Sequence, residues 1–148
     1  MKKLGLVIIF FTIFLAGYSQ ETGCVNGSCM DGKGKFIYTN GFVYEGQFVD
    51  GKRDGMGKLI EPSGNVYDGM WKADEMNGQG KYTWADGSSY SGEWKNGVRD
   101  GYGIFFFENG DKYTGYFQNN QFNGKGKYTW ADGSSSEGTF ENGQLTNN

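Results

Sequence analysis

Four tyrosines, Tyr44, Tyr67, Tyr90 and Tyr113, stand 23 residues apart, and the rest of the chain keeps step with them. Two residues after each comes a glycine (Gly46, Gly69, Gly92, Gly115), and two further on a large ring (Phe48, Trp71, Trp94, Phe117). A Gly-x-Gly pair follows at Gly55/Gly57, Gly78/Gly80, Gly101/Gly103 and Gly124/Gly126, and a turn glycine closes each unit at Gly64, Gly87, Gly110 or Gly133. A period of 20–50 residues marks a repeat architecture, in which each unit buries its apolar face against its neighbours. The frame divides the chain into full repeats at 44–66, 67–89, 90–112 and 113–135. A degenerate capping unit precedes them over 20–43, and a truncated repeat and tail follow over 136–148.

Inside a unit the alternation has the two-residue period of a strand. In Gly78-Gln79-Gly80-Lys81-Tyr82-Thr83-Trp84 the glycines and rings share one face, and Gln79, Lys81 and Thr83 take the other. Asn40-Gly41, Asp86-Gly87, Asn109-Gly110 and Asp132-Gly133 fall between such runs, where both turn residues are expected at positive φ. Each repeat is therefore predicted to be roughly a hairpin, with loops such as Lys95–Asp100 joining one hairpin to the next. The fold class is all-β, an elongated single-sheet antiparallel hairpin solenoid. A glycine costs a strand about 0.5–1 kcal/mol relative to alanine. Its missing side chain leaves a trough, and an aromatic ring from the neighbouring hairpin can lie in it. The repeat core is accordingly expected at Tyr44, Gly46, Phe48, Tyr67, Gly69, Trp71, Tyr90, Gly92, Trp94, Tyr113, Gly115 and Phe117.

Composition narrows the function. Of 148 residues 27 are glycine, one is proline and none is histidine. Without histidine there is no Ser-His-Asp or Cys-His mechanism and no His-containing metal site. Two cysteines are too few for a four-thiolate zinc site. No P-loop or EF-hand spacing occurs either. The chain is thus expected to be non-catalytic, with no cofactor and no metal. Met1-Lys2-Lys3 followed by the apolar run Leu4–Ala16 and the small residues Gly17 and Ser19 reads as a bacterial-type signal peptide over 1–19, with an uncleaved anchor as the competing reading. An exported, periplasmic, envelope-associated or secreted protein follows. Without residues 1–19, which hold two lysines and no acid, 12 basic face 17 acidic residues for a net charge of −5. That balance works against nucleic acid or anionic lipid as partner.

With the unit written as Tyr-x-Gly-x-Trp/Phe, then Gly-x-Gly, then a turn glycine, the sequence resembles the MORN repeat family over roughly residues 23–143. Tyr67-Asp68-Gly69-Met70-Trp71 and Tyr90-Ser91-Gly92-Glu93-Trp94 match most closely. The resemblance implies an elongated, twisted hairpin array serving as a scaffold or interaction module, at times through self-association, with phospholipid contact also proposed for the family. Glu21 and Ser136 stand where the repeat tyrosine belongs, as in capping units.

Three features remain as candidate sites. Cys24 and Cys29 flank what looks like a four-residue hairpin loop, which would bring them within disulfide reach; free thiols or a metal or redox role are the alternatives. Lys35, Lys58, Lys81 and Lys127 recur at one position of successive units, on the face that also carries Glu45, Asp68 and Glu137, which reads as a solvated surface of weak ion pairs. Ile104 and Phe106 stand where other units carry Lys and Thr, and Tyr116 has the outward parity of the following strand. Ile104, Phe106 and Tyr116 are therefore the candidate interaction patch, for a protein partner or a second copy of the chain. Contact with a glycan of the cell envelope, or with a membrane, is the less favoured rival.

Overall fold

The computed structural model describes residues 22–146; the leader expected at 1–19 lies outside them. The described chain is all β. Its strands are β1 (Gly23–Gly27), β2 (Gly32–Ile37), β3 (Val43–Val49), β4 (Lys52–Ile60), β5 (Val66–Lys72), β6 (Glu75–Thr83), β7 (Ser89–Lys95), β8 (Val98–Phe106), β9 (Lys112–Gln118), β10 (Gln121–Thr129), β11 (Ser135–Glu141) and β12 (Gln144–Thr146). They form one open antiparallel sheet in strict chain order, about 50 Å along the stacking direction at the usual strand spacing. The single-sheet hairpin array read from the period is what this chain forms.

Two kinds of turn alternate along the sheet. On one side, as in the link from β6 to β7, Trp84 N donates to Ser88 O and Gly87 N to Trp84 O, both at 3.0 Å. Only the glycine there is left-handed, with φ of 90°. On the other side two residues join the strands and both have positive φ, as in Asn96-Gly97 with 49° and 79°. This is the primed hairpin turn, whose twist matches that of the flanking strands. Two expectations are corrected here. The paired left-handed residues lie at Asn96-Gly97 and its equivalents, not at Asp86-Gly87, where one extra loop residue leaves only the glycine to reverse the chain. The loop expected over Lys95–Asp100 is a two-residue turn, and Val98–Asp100 already belong to β8.

The register places ten glycines directly opposite one another from β2 to β11: Gly34, Gly46, Gly57, Gly69, Gly80, Gly92, Gly103, Gly115, Gly126 and Gly138. The tyrosines lie across this row. A Cβ placed on Gly57, Gly80, Gly103 or Gly126 would collide with the ring and hydroxyl of Tyr44, Tyr67, Tyr90 or Tyr113, respectively. In each case the ring and the glycine belong to the same 23-residue repeat, on adjacent strands joined by a two-residue turn, rather than to neighbouring units as expected. The hydroxyl donates to a backbone carbonyl three residues on: Tyr44 to Gln47 at 2.9 Å, Tyr67 to Met70 at 2.9 Å, Tyr90 to Glu93 at 2.9 Å and Tyr113 to Tyr116 at 3.1 Å. Each acceptor lies where the register slips against the following strand, so it has no partner there. The buried phenol supplies the hydrogen bond that the slip removes from the ladder.

The first glycine of each Gly-x-Gly has a different task from the one expected. Gly78 takes φ of +90° in the slipped segment, and a Cβ there would face the Met70 side chain on the sheet's other face. It makes the bulge, and only the second glycine forms the trough. Rings then meet edge to face along the sheet. Tyr44–Phe48, Tyr44–Trp71, Tyr67–Trp71, Tyr67–Trp94, Tyr90–Trp94, Tyr90–Phe117, Tyr113–Phe117 and Tyr113–Phe140 have centroids 4.8–5.5 Å apart. Every repeat is thereby keyed to the next, each pair contributing about 0.5–1.5 kcal/mol beyond its burial.

The two-residue turns also yield a prediction. Four of the five begin with Asp or Asn at φ of 49°, whereas Ala73 occupies that place at 47°. A left-handed alanine costs about 1–2 kcal/mol, much of which asparagine avoids. Ala73→Asn is expected to raise unfolding stability by about 1 kcal/mol in a urea titration.

Candidate interaction surface

The face opposite the rings is organised in cross-strand rows. In the central row Lys35, Glu45, Lys58, Asp68 and Lys81 face one another in turn across β2–β6, so unlike charges alternate. Opposite signs directly across an antiparallel pair stabilise it modestly, by about 0.2–1 kcal/mol each. The row then changes character. From β7 to β9 it runs Ser91, Ile104, Thr114, and charge returns only with Lys127 and Glu137 on β10 and β11.

Apolar residues fill this gap from both sides. Phe106 stands between Ser89 and Lys112 in one flanking row, and Tyr102 faces Tyr116 in the other. The two tyrosine rings meet edge to face at 5.4 Å. Tyr102, Phe106 and Tyr116 are 47, 47 and 50% exposed, while Ile104 is half-buried. The three residues singled out from sequence lie on one face of β8 and β9, Ile104 in the row between those that hold Phe106 and Tyr116. Tyr102 is the member that reading misses, although it shares the parity of Ile104 and Phe106. A second apolar area, Met56 facing Met70, lies on β4 and β5 beside the charged row rather than across a gap in it. Among the described residues no three or more acidic or thiol side chains group as a metal site would require.

On the ring face two arginines interrupt the apolar packing. Arg53 on β4 lies over the Trp71 ring at 4.1 Å, and its Nε donates to Asp74 Oδ1 at 3.0 Å. Arg99 on β8 occupies the same place two repeats on, with Nε donating to Asn120 Oδ1 at 3.2 Å. Burial lowers the Arg99 pKa. Burial likewise pushes the phenols of Tyr44 and Tyr113 up to about 12 and raises those of Tyr67 and Tyr90 further. Tyr82 and Tyr128 rise to about 12, through burial and then through the hydrogen bonds they donate to Glu61 and Asp111.

At the N-terminal end Cys24 and Cys29 form a disulfide, with Cα atoms 5.9 Å apart. The geometry differs from the facing pair expected. Cys24 stands opposite Phe36, and the hairpin closes at Gly27 opposite Gly34, so Cys29 lies in the turn. The bond therefore ties β1 to the turn that follows it.

An open antiparallel sheet of stacked hairpins, held by one aromatic–glycine motif per repeat, defines a repeat protein of the interaction-module type. Residues 30–43, 44–66, 67–89, 90–112 and 113–135 match the MORN repeat model, and the chain belongs to the MORN repeat family. The repeats of this family are non-enzymatic protein- and membrane-interaction modules. A search of curated proteins finds no match. Among solved structures, the TCP domain of Drosophila melanogaster SAS-4, in complex with a proline-rich motif of Ana2, is similar at 13% identity and a TM-score of 0.47, covering 94% of this chain and 86% of that one. A likeness at that level carries no argument about this chain.

The raised tyrosine pKa values set a pH window. Phenols of the unfolded chain ionise near pH 10, whereas the buried ones hold their protons to about 12 or beyond. The stability they contribute is complete below about pH 10 and is lost as pH rises toward 12. In an alkaline titration the loss of β-sheet circular dichroism should coincide with the phenolate absorbance of these tyrosines. Free ionisation of all ten tyrosines while the sheet persists would contradict their burial.

Proposed function

We propose that this protein is an exported, non-catalytic scaffold whose repeats bind a protein partner, or a second copy of the chain, through the outer face of β8 and β9. The observation that carries this reading is the gap in the charged row, filled by Tyr102, Ile104, Phe106 and Tyr116. Contiguous exposed apolar residues mark interaction sites, and aromatic residues are over-represented among those that carry binding energy. The sheet holds this face rigid, because the rings behind it are locked into the glycine row. Recognition would then act by shape and apolar complementarity, with the alternating charges on either side fixing register and orientation. Export is supported by the leader-like pattern of residues 1–19 and by the disulfide, since such bonds persist in oxidising compartments. The net charge of −3 for the whole chain does not suit nucleic acid or an anionic membrane as partner.

Replacing Phe106 and Tyr116 by lysine tests the reading, because both side chains leave the ring face untouched. The double variant should melt close to wild type. It should also bind about tenfold or more weakly in sedimentation velocity and in affinity capture from the native envelope fraction. Association at wild-type strength would overturn the assignment of this face. Recovery of only a soluble wall glycan would move the function to the glycan-binding class.

A further inference from the structure

Arg53 and Arg99 form a built-in comparison. Both sit on the ring face, and both donate Nη2 to the carbonyl of the second turn residue, Asp74 at 2.7 Å and Asn120 at 2.9 Å. Both direct Nε at the side-chain oxygen of that same residue. The difference is one of charge. Arg53 meets a carboxylate and forms an ion pair at 3.0 Å, whereas Arg99 meets a neutral amide. No carboxylate comes within 4 Å of Arg99 among the described residues.

The surroundings of Arg99 make that unneutralised charge consequential. The guanidinium lies within 5.2–5.8 Å of the Phe105, Phe117, Trp84 and Tyr90 ring centroids. A cation partly removed from water attracts an anion far more strongly than one on an open surface. Of the five N–H groups of a guanidinium, two are taken by Asn120. The described residues contain no fully buried side-chain nitrogen or oxygen without a partner, so Nη1, which has none, is not fully buried. A cleft of about 390 Å³ that Arg99 helps to line is formed by Phe105, Phe107 and Phe122 together with Asn120, Gln121 and Asn142. The volume falls within the range of small-molecule sites, as does an apolar lining with a few convergent polar groups.

We infer that the Arg99 cleft is a binding site for a carboxylate carried on a compact apolar body, the guanidinium taking the carboxylate in paired hydrogen bonds and the three phenylalanines the apolar part. Fork-to-fork pairing of guanidinium and carboxylate has the geometry and strength to select this group. The same chemistry is found in a free aryl or alkyl acid and in the C-terminal apolar residue of a polypeptide. The site lies on the face opposite Tyr102, Phe106 and Tyr116, so it stands or falls independently of the scaffold surface.

The test titrates the whole protein with hydrocinnamate, with N-acetylphenylalanine as a mimic of a peptide C-terminus, and with hydrocinnamide as a neutral control, following the Arg99 Nε–H signal by NMR. The decisive variant is Asn120→Asp. It copies the Arg53–Asp74 pair at a position whose φ of 69° resembles the 74° of Asp74, so the sheet should be preserved. Saturable binding of an acid by wild type is expected, about tenfold or more weaker in Asn120→Asp and for the amide. Tighter binding of N-acetylphenylalanine than of hydrocinnamate would assign the site to a polypeptide terminus, and the reverse order to a free acid. The proposal is overturned if neither acid binds saturably, if the amide binds as well as the acid, if Asn120→Asp binds unchanged, or if inorganic phosphate displaces the acids at equal affinity.

Discussion

A tyrosine laid across a glycine of the adjacent strand is the contact on which this sheet depends. A single layer has no second sheet or helix to cover its apolar face, so each strand must be roofed by side chains from its neighbours. The glycine row provides the depth, and the rings of Tyr44, Tyr67, Tyr90 and Tyr113 fill it until at most 1% of any of these residues is exposed. The hydroxyl completes the fit by donating to the carbonyl opposite the bulge. One residue type thus covers the trough and satisfies the backbone group that the bulge leaves without a ladder partner, as a phenylalanine could not.

The division of labour between the two faces follows from that contact. Because the rings pack among themselves, the opposite face is less constrained and varies from repeat to repeat. The alternating Lys and Glu or Asp of the central row give way at Ile104. The repeats over 90–112 and 113–135 therefore differ from their neighbours in what they present, while Gly103, Gly115 and Gly126 keep the same register beneath. On the ring face one difference falls at a turn, where Asn120 stands in place of the carboxylate of Asp74 and leaves Arg99 without an ion pair.

The period, the strand alternation and the core tyrosines are legible in the sequence because a repeat states the same local rule several times over. What the sequence leaves hidden depends on φ or on proximity across strands. Gly78 and Gly80 look alike in a linear pattern, yet one turns the chain at positive φ and the other removes a side chain from beneath Tyr67. Lys95–Asp100 reads as a polar loop, but Asn96 and Gly97 can both become left-handed, which shortens the connection to two residues. Cys24 and Cys29 have the spacing of facing partners, yet Gly27 closes the hairpin opposite Gly34 and leaves Cys29 in the turn. The environment of Arg99 draws on rings from four different stretches of chain, and no local pattern announces it. Tyr102 was within reach, since the alternation that marks Ile104 and Phe106 marks it too.

A double-mutant cycle on Gly80 and Tyr67, followed by urea denaturation, tests the trough most directly. Gly80→Ala should cost about 1–3 kcal/mol in the parent protein and substantially less once Tyr67→Leu has cleared the space above it, giving a coupling of about 1 kcal/mol or more. If the two losses simply add, to within about 0.5 kcal/mol, the ring and the glycine are not the interlocking pair from which this fold is built.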